Sequence, residues 1–423
     1  MTTTTTATPV AVRTRRWQLR IFAITWIAYA AFYFTRQAFS AAKVGILDDP
    51  SVNTVLTKQV LGDLDAAYLA AYAVGQFVWG SLADRWGPRV VVLGGMAMSA
   101  VAAMFMGLVP AVALFLPLMI VQGLAQSTGW ASLCKNVSSF FPSHQRGRVL
   151  GLWSTNYAFG GLVASPFVGW VAYTLWSDWR VAFLAGAGVL VIVLIAFAVF
   201  QRNHPAQVGL DSHDEAAVPA EERPSLREAL LTGVRDRNVR TLGLAYFLLK
   251  PARYAILLWG PVIVTERIPD VGKFEAVVIP VAFGVAGLLA PIAIGFISDK
   301  LFAARRMPPC VLSLAALVVA LALFIPLTAS GSVGLMVTVL AVIGFTAYAA
   351  DAMISCVAAV DFGTSARAGA AAGFVNGCGS VGAILGGLLP GYLGGTSLFL
   401  GFAGAALLAG LVLVPRWNQR PAE

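Results

Sequence analysis

Twelve apolar stretches follow one another along this 423-residue chain, at roughly residues 18–46, 62–83, 90–110, 112–141, 147–174, 180–201, 239–266, 274–299, 308–328, 332–360, 367–393 and 395–415. Each has the length of about 20 residues that the hydrocarbon core of a bilayer demands of a crossing helix. Inside lipid a segment must satisfy its own backbone hydrogen bonds, which an α-helix does. Composition agrees. With 58% hydrophobic and only 12% charged residues, the chain has too little charge to hydrate the surface of a soluble protein of this size. The expected fold is an all-α membrane protein of twelve transmembrane helices set in a lipid bilayer.

The spans divide six and six around the one long polar stretch, residues 202–238, which reads as a linker. The expected organisation is a tail over 1–17, disordered at its Thr-rich start, a first half over 18–201, the linker, a second half over 239–415, and a short tail over 416–423. No small-residue cleavage site follows the first apolar run, so that run is expected to remain as a helix. The net charge of +9 does not indicate nucleic acid, because the basic residues fall in short segments between helices. Arg13, Arg15, Arg16 and Arg20 precede span 1, and Arg146, Arg202, Lys300 and Arg416 mark the exits of spans 4, 6, 8 and 12. This asymmetry places both termini in the cytosol and the chain in the cell (inner) membrane. Cys134, Cys310, Cys356 and Cys378 form no CxxC and pair with no His, so they read as small core residues. No metal site, nucleophile–base pair or nucleotide loop is visible. A monomer without cofactor or enzymatic activity is expected.

The two halves repeat. "GSLADRWGPR" after span 2 is echoed by "GFISDKLFAARR" after span 8, with Asp84 and Asp299 in matching places. Pseudo-symmetric six-helix halves of this kind carry a binding site between them near the midplane. Ionisable residues at that depth cost about 2.5–3.5 kcal/mol each on insertion scales and therefore ask for a reason. Arg36 lies in span 1 and Arg253 in span 7, 217 residues apart and close to repeat-equivalent. At 1.5 Å per residue they sit roughly 24 Å and 21 Å from the same membrane face. Two guanidiniums across one cavity repel unless an anion lies between them, and a dianionic phosphate suits the planar fork of Arg best. Lys250 and Asp351 fall at a common depth of roughly 15–16 Å. Lys135 is expected to snorkel from the end of span 4. Asp65 reads as a helix cap. Pro251 removes a hydrogen bond from span 7 and allows it to bend beside the site.

The loop "GSLADRWGPR", with Gly80, Asp84, Arg85 and Arg89, resembles the signature of the major facilitator superfamily. Its Gly permits close helix contact, and its Asp can pair with Arg or cap a neighbouring helix on the cytosolic side. Together with "YFTRQAFSAAK", "QSTGWASLCK", "RGRVLGLWSTNYAFGG", "HPAQVGL" and "ARYAILLWGP", the chain resembles the organophosphate:phosphate antiporter family from about residue 20 to 395. That family contains glycerol-3-phosphate and hexose-phosphate transporters and eukaryotic sugar-phosphate exchangers. The resemblance implies a phosphoryl group held by Arg36 and Arg253, and, with spans 7 and 10 lining the same side of the cavity, a Lys250–Asp351 pair that leaves Arg253 free. Gln37 stands where the family often has Lys, Gln76 where glycerol-3-phosphate members have Lys, and Tyr157 where they have His. Two basic groups and a titrating one are thus replaced by neutral hydrogen-bonding groups, which puts glycerol 3-phosphate in doubt as substrate. Trp130, Tyr157 and Tyr348 are the aromatics expected to wall the organic part of a substrate. The expected activity is exchange of a phosphorylated small metabolite for inorganic phosphate by alternating access. The alternatives are a proton-coupled organic anion symporter using Asp351 and a membrane-embedded sugar-phosphate sensor.

Overall fold

The computed structural model describes residues 9–109, 111–210, 235–303, 305–358 and 368–418. Twelve membrane helices run through it. They are α1 Pro9–Asp48, α2 Lys58–Trp86, α3 Pro88–Leu108, α4 Val112–Phe140, α5 Arg148–Leu175, α6 Arg180–Phe200, α7 Arg237–Arg267, α8 Lys273–Leu301, α9 Met307–Ala322, α10 Val333–Ser355, α11 Ala368–Tyr392 and α12 Gly395–Leu413. Among the described residues, α1 and α2 miss a purely hydropathic criterion for crossing a membrane. Arg36, Gln37, Asp63 and Asp65 interrupt their apolar runs. α1 also reaches back to Pro9, into the segment expected to be a tail. Nothing after that proline breaks a helix, and the Arg13 guanidinium anchors the extension by donating to the Val208 carbonyl at 2.6 Å. Of the linker, residues 211–234 lie outside the described residues.

Packing follows one scheme twice. In the first half α1 lies against α5 and α6, α2 against α4, and α3 against α4 and α6. Adding six to each label gives the second half: α7 against α11 and α12, α8 against α10, α9 against α10 and α12. Glycines at matching places allow this. A Cβ at Gly123 of α4 would collide with the Tyr68 carbonyl of α2, and one at Gly344 of α10 with the Phe283 carbonyl of α8. Association in lipid depends on such close backbone approach, because lipid tails are as apolar as the helices.

The halves meet along α1–α7, α2–α11 and α5–α8. Their polar contacts gather at the end of the bundle away from the termini. Lys58 pairs with Glu266, Lys273 Nζ lies 3.0 Å from Asp48, and the Tyr392 hydroxyl donates to Asp63 at 2.8 Å. Gly62 of α2 packs where an added Cβ would lie 2.9 Å from the Leu388 carbonyl of α11. This far end is closed.

Candidate binding site between the halves

Arg36 lies on the α1 face that looks into the middle of the bundle. Its Nε donates to the Gln126 Oε1 at 3.1 Å, and the Tyr68 hydroxyl donates to the same oxygen at 2.6 Å. The Gln126 amide in turn donates to Thr35 and to Gln122. The guanidinium carbon stands 4.7 Å from the Tyr33 ring centroid and 4.8 Å from that of Tyr72. Aromatic faces attract a cation without neutralising it. Among the described residues Arg36 makes no ion pair.

Arg253 faces it from α7 in a different setting. Lys250 and Arg253 are one helical turn apart, and so are Tyr348 and Asp351 on α10. Lys250 Nζ stands 3.0 Å from the Asp351 Oδ1, and an Arg253 terminal nitrogen stands 2.8 Å from the same oxygen. The Arg253 guanidinium lies over the Tyr348 ring, 3.9 Å from its centroid. Its Nε is buried and has no hydrogen-bond partner among the described residues. The Lys250–Asp351 contact forms as expected, but Arg253 is not left free by it. One carboxylate on α10 reaches both cations because they share a face of α7. Three cations and one carboxylate leave the four side chains a net charge of +2.

Arg36, Arg253, Lys250, Asp351, Tyr157, Trp130 and Gln76 border one cavity of about 590 Å³, with Tyr72, Tyr246 and Tyr254. Trp130 packs edge-on against Tyr29 and Tyr157, at 5.3 Å and 6.4 Å between centroids. Tyr348 and the buried Gln37 border an adjoining hollow that shares Arg36, Arg253 and Tyr157 with the first. The structure thus gathers the nine residues expected at the binding site, though in two connected spaces.

The loop residues lie elsewhere. Gly80 and Asp84 lie in the C-terminal part of α2. Arg85 is exposed at the end of α2. Gly87, at φ 83°, turns the chain into α3, where the Arg89 N–H donates to Asn203 at 2.9 Å and its guanidinium to the Ala198 carbonyl. Asp299 pairs with Arg306 at 2.7 Å.

Asp65 departs from expectation. The cap of α2 is Thr57, whose side chain accepts from the Val60 N–H. Asp65 lies well inside the helix, fully buried and paired with Lys43 of α1. Lys43 also donates to the Leu258 carbonyl of α7 at 3.0 Å and stands 4.2 Å from the Trp259 ring centroid. Sequence reading missed Lys43. The available signal was its spacing of seven from Arg36, two turns along the same face.

Comparison with known proteins adds the following. The family model described as Major Facilitator Superfamily matches residues 25–368. A relative from Arabidopsis thaliana named "Putative glycerol-3-phosphate transporter 5" is 29% identical, over 94% of this chain and 90% of its own. A "Probable hexose phosphate transport protein" from Chlamydia trachomatis is 26% identical, over 95% and 91%. A crystal structure of a bacterial homolog of the human lysosomal transporter Spinster superposes with a TM-score of 0.72 at 14% identity, over 97% of this chain and 96% of that one, a likeness of fold.

Proposed function

The chain belongs to the Major Facilitator Superfamily, and on that premise we propose that it exchanges a phosphorylated small metabolite for inorganic phosphate by alternating access. It is a transporter and not an enzyme. One observation carries the reading: arginines from repeat-related helices border a single cavity, and among the described residues one of them has no counter-carboxylate. A phosphate dianion would match the net charge of +2. It would take the unpartnered Arg253 Nε edge and the Arg36 fork together, drawing α1 and α7 toward each other. The names of the relatives point to phosphorylated substrates too. With the termini cytosolic, as the loop charges require, the far-end contacts close the outer side and the cavity belongs to an inward-facing state. The empty carrier holds an unneutralised charge, so its return without cargo is slow and exchange is favoured over net flux.

The direct test is phosphate self-exchange by the purified chain in liposomes. Arg36→Lys and Arg253→Lys each replace a planar fork by a point charge. Loss of a charge-assisted hydrogen bond of about 1.5–3 kcal/mol should weaken phosphate binding roughly ten- to hundredfold. Unchanged exchange in both variants would refute the site. Proton-coupled symport is disfavoured by the engagement of Asp351 with Lys250 and Arg253, at 3.0 Å and 2.8 Å. Uptake that collapses with a protonophore and needs no phosphate on the opposite side would reverse that judgement. Binding of phosphate without any transport would favour a sensor.

A further inference from the structure

The hollow adjoining the central cavity has a shape and lining of its own. It measures about 300 Å³ and begins at Arg36, Arg253 and Tyr348. From there it runs into the seam between α5 and α8. The two helices touch toward the far end, where Gly169 packs on Val277 and a Cβ at Gly284 would lie 3.0 Å from the Leu162 side chain. They separate toward the opposite end. A Cβ at Gly151 or Gly295 would meet nothing within 4 Å, and one at Gly161 would meet only the Tyr33 ring, at 3.8 Å. The walls there are Ala158, Gly161, Leu162, Leu288 and Ile292. Ile292 is also 72% exposed on the outside of the bundle, so the crevice reaches the lipid-facing surface. Hydroxyls line it too: Ser40 and Ser165, and near its mouth Ser154 and Thr155, which donate to the Gly151 and Leu152 carbonyls, both at 2.8 Å.

From this we infer that the site takes an amphiphilic phosphomonoester, with its phosphoryl group between Arg36 and Arg253 and an alkyl or aryl portion lying in the α5–α8 crevice. This rests on the proposed phosphate site and narrows its substrate class. A dianionic head would sit at one end of a slot whose outer walls, Ala158, Gly161, Leu162, Leu288 and Ile292, offer the hydroxyls of a polyhydroxylated chain no side-chain partner, so burying them there has a cost. An apolar chain displaces poorly held water there and gains with each methylene.

The test uses ethyl, butyl and hexyl phosphate and glucose 6-phosphate as competitors of phosphate self-exchange in liposomes. Inhibition should strengthen roughly fourfold per methylene along the alkyl series, the gain expected from burying a CH₂ group, and hexyl phosphate should surpass glucose 6-phosphate. Ala158→Phe fills the crevice. It should flatten the series while phosphate self-exchange continues. Equal inhibition by all three alkyl phosphates, or a chain-length gain that survives Ala158→Phe, would overturn the inference. Equilibrium binding of the same compounds in nanodiscs reads the crevice even where exchange is absent, so the exchange reading and this one fail separately.

Discussion

Arg36 and Arg253 are held in place by opposite means. Arg36 is held by neutral groups, the Gln126 oxygen and the faces of Tyr33 and Tyr72. Arg253 leans on Asp351, which also holds Lys250. A ligand therefore adds a charge partner at Arg36 but competes with an existing one at Arg253. This shared carboxylate makes a double-mutant cycle informative. Asp351→Asn frees Arg253 from a competitor but leaves both cations unpositioned and the site one charge too positive for a dianion to neutralise, so phosphate exchange should weaken. Lys250→Ala alone should weaken it less, because Arg253 keeps its partner. The double variant should lose less than the sum, with a coupling of about 0.5–3 kcal/mol, the range for residues in one ion-pair network. Exchange rates of the four proteins measure it, and strict additivity would show that Lys250 and Asp351 act apart.

At the scale of the helix, small residues decide how near two elements come. Gly62 sits where α2 of one half meets α11 of the other, at the closed far end. Gly62→Leu should force the two apart there, leaving the packing within each half intact. The expected outcome is a rise in labelling of Ser40→Cys by a membrane-impermeant maleimide added to the far side; unchanged labelling would show that α2–α11 contact does not seal that end. Elements were also the part of the molecule most legible in the sequence. A crossing helix leaves a run of apolar residues that needs no partner to be seen. Arg36 and Arg253 were legible because charge inside such a run stands out. Asp351 was placed by counting residues from a membrane face, which gives depth but not the number of partners, so its second contact with Arg253 was lost. Asp65 was misread because position along α2 alone cannot separate a cap from an inward-facing acid. Its partner comes from α1, 22 residues earlier.

Taken as a whole, the molecule is two copies of one packing scheme that touch at one end, and the Lys43–Asp65 pair sits at that contact. Both residues belong to the first half, yet Lys43 reaches the Leu258 carbonyl of the second. Removing one charge leaves the other buried and unpaired. Lys43→Met or Asp65→Leu should each cost about 3–5 kcal/mol, whereas the double variant should recover most of that loss, since a well-packed apolar pair is often neutral or better. Thermal unfolding in detergent distinguishes them, and a double variant as unstable as the two singles combined would show that the charges serve something other than each other. The +2 left by Arg36, Lys250, Arg253 and Asp351 has a consequence in electrical terms. On the proposed reading, a bound dianion makes the moving site neutral, and a membrane voltage exerts no net force on the loaded carrier. The unloaded carrier is different. Carrying two charges through the whole of a 100 mV field is worth about 4.6 kcal/mol, twice the ~2.3 kcal/mol per charge. On the same reading a negative interior would hold the empty site facing inward, where the cell's own phosphate would reach it first.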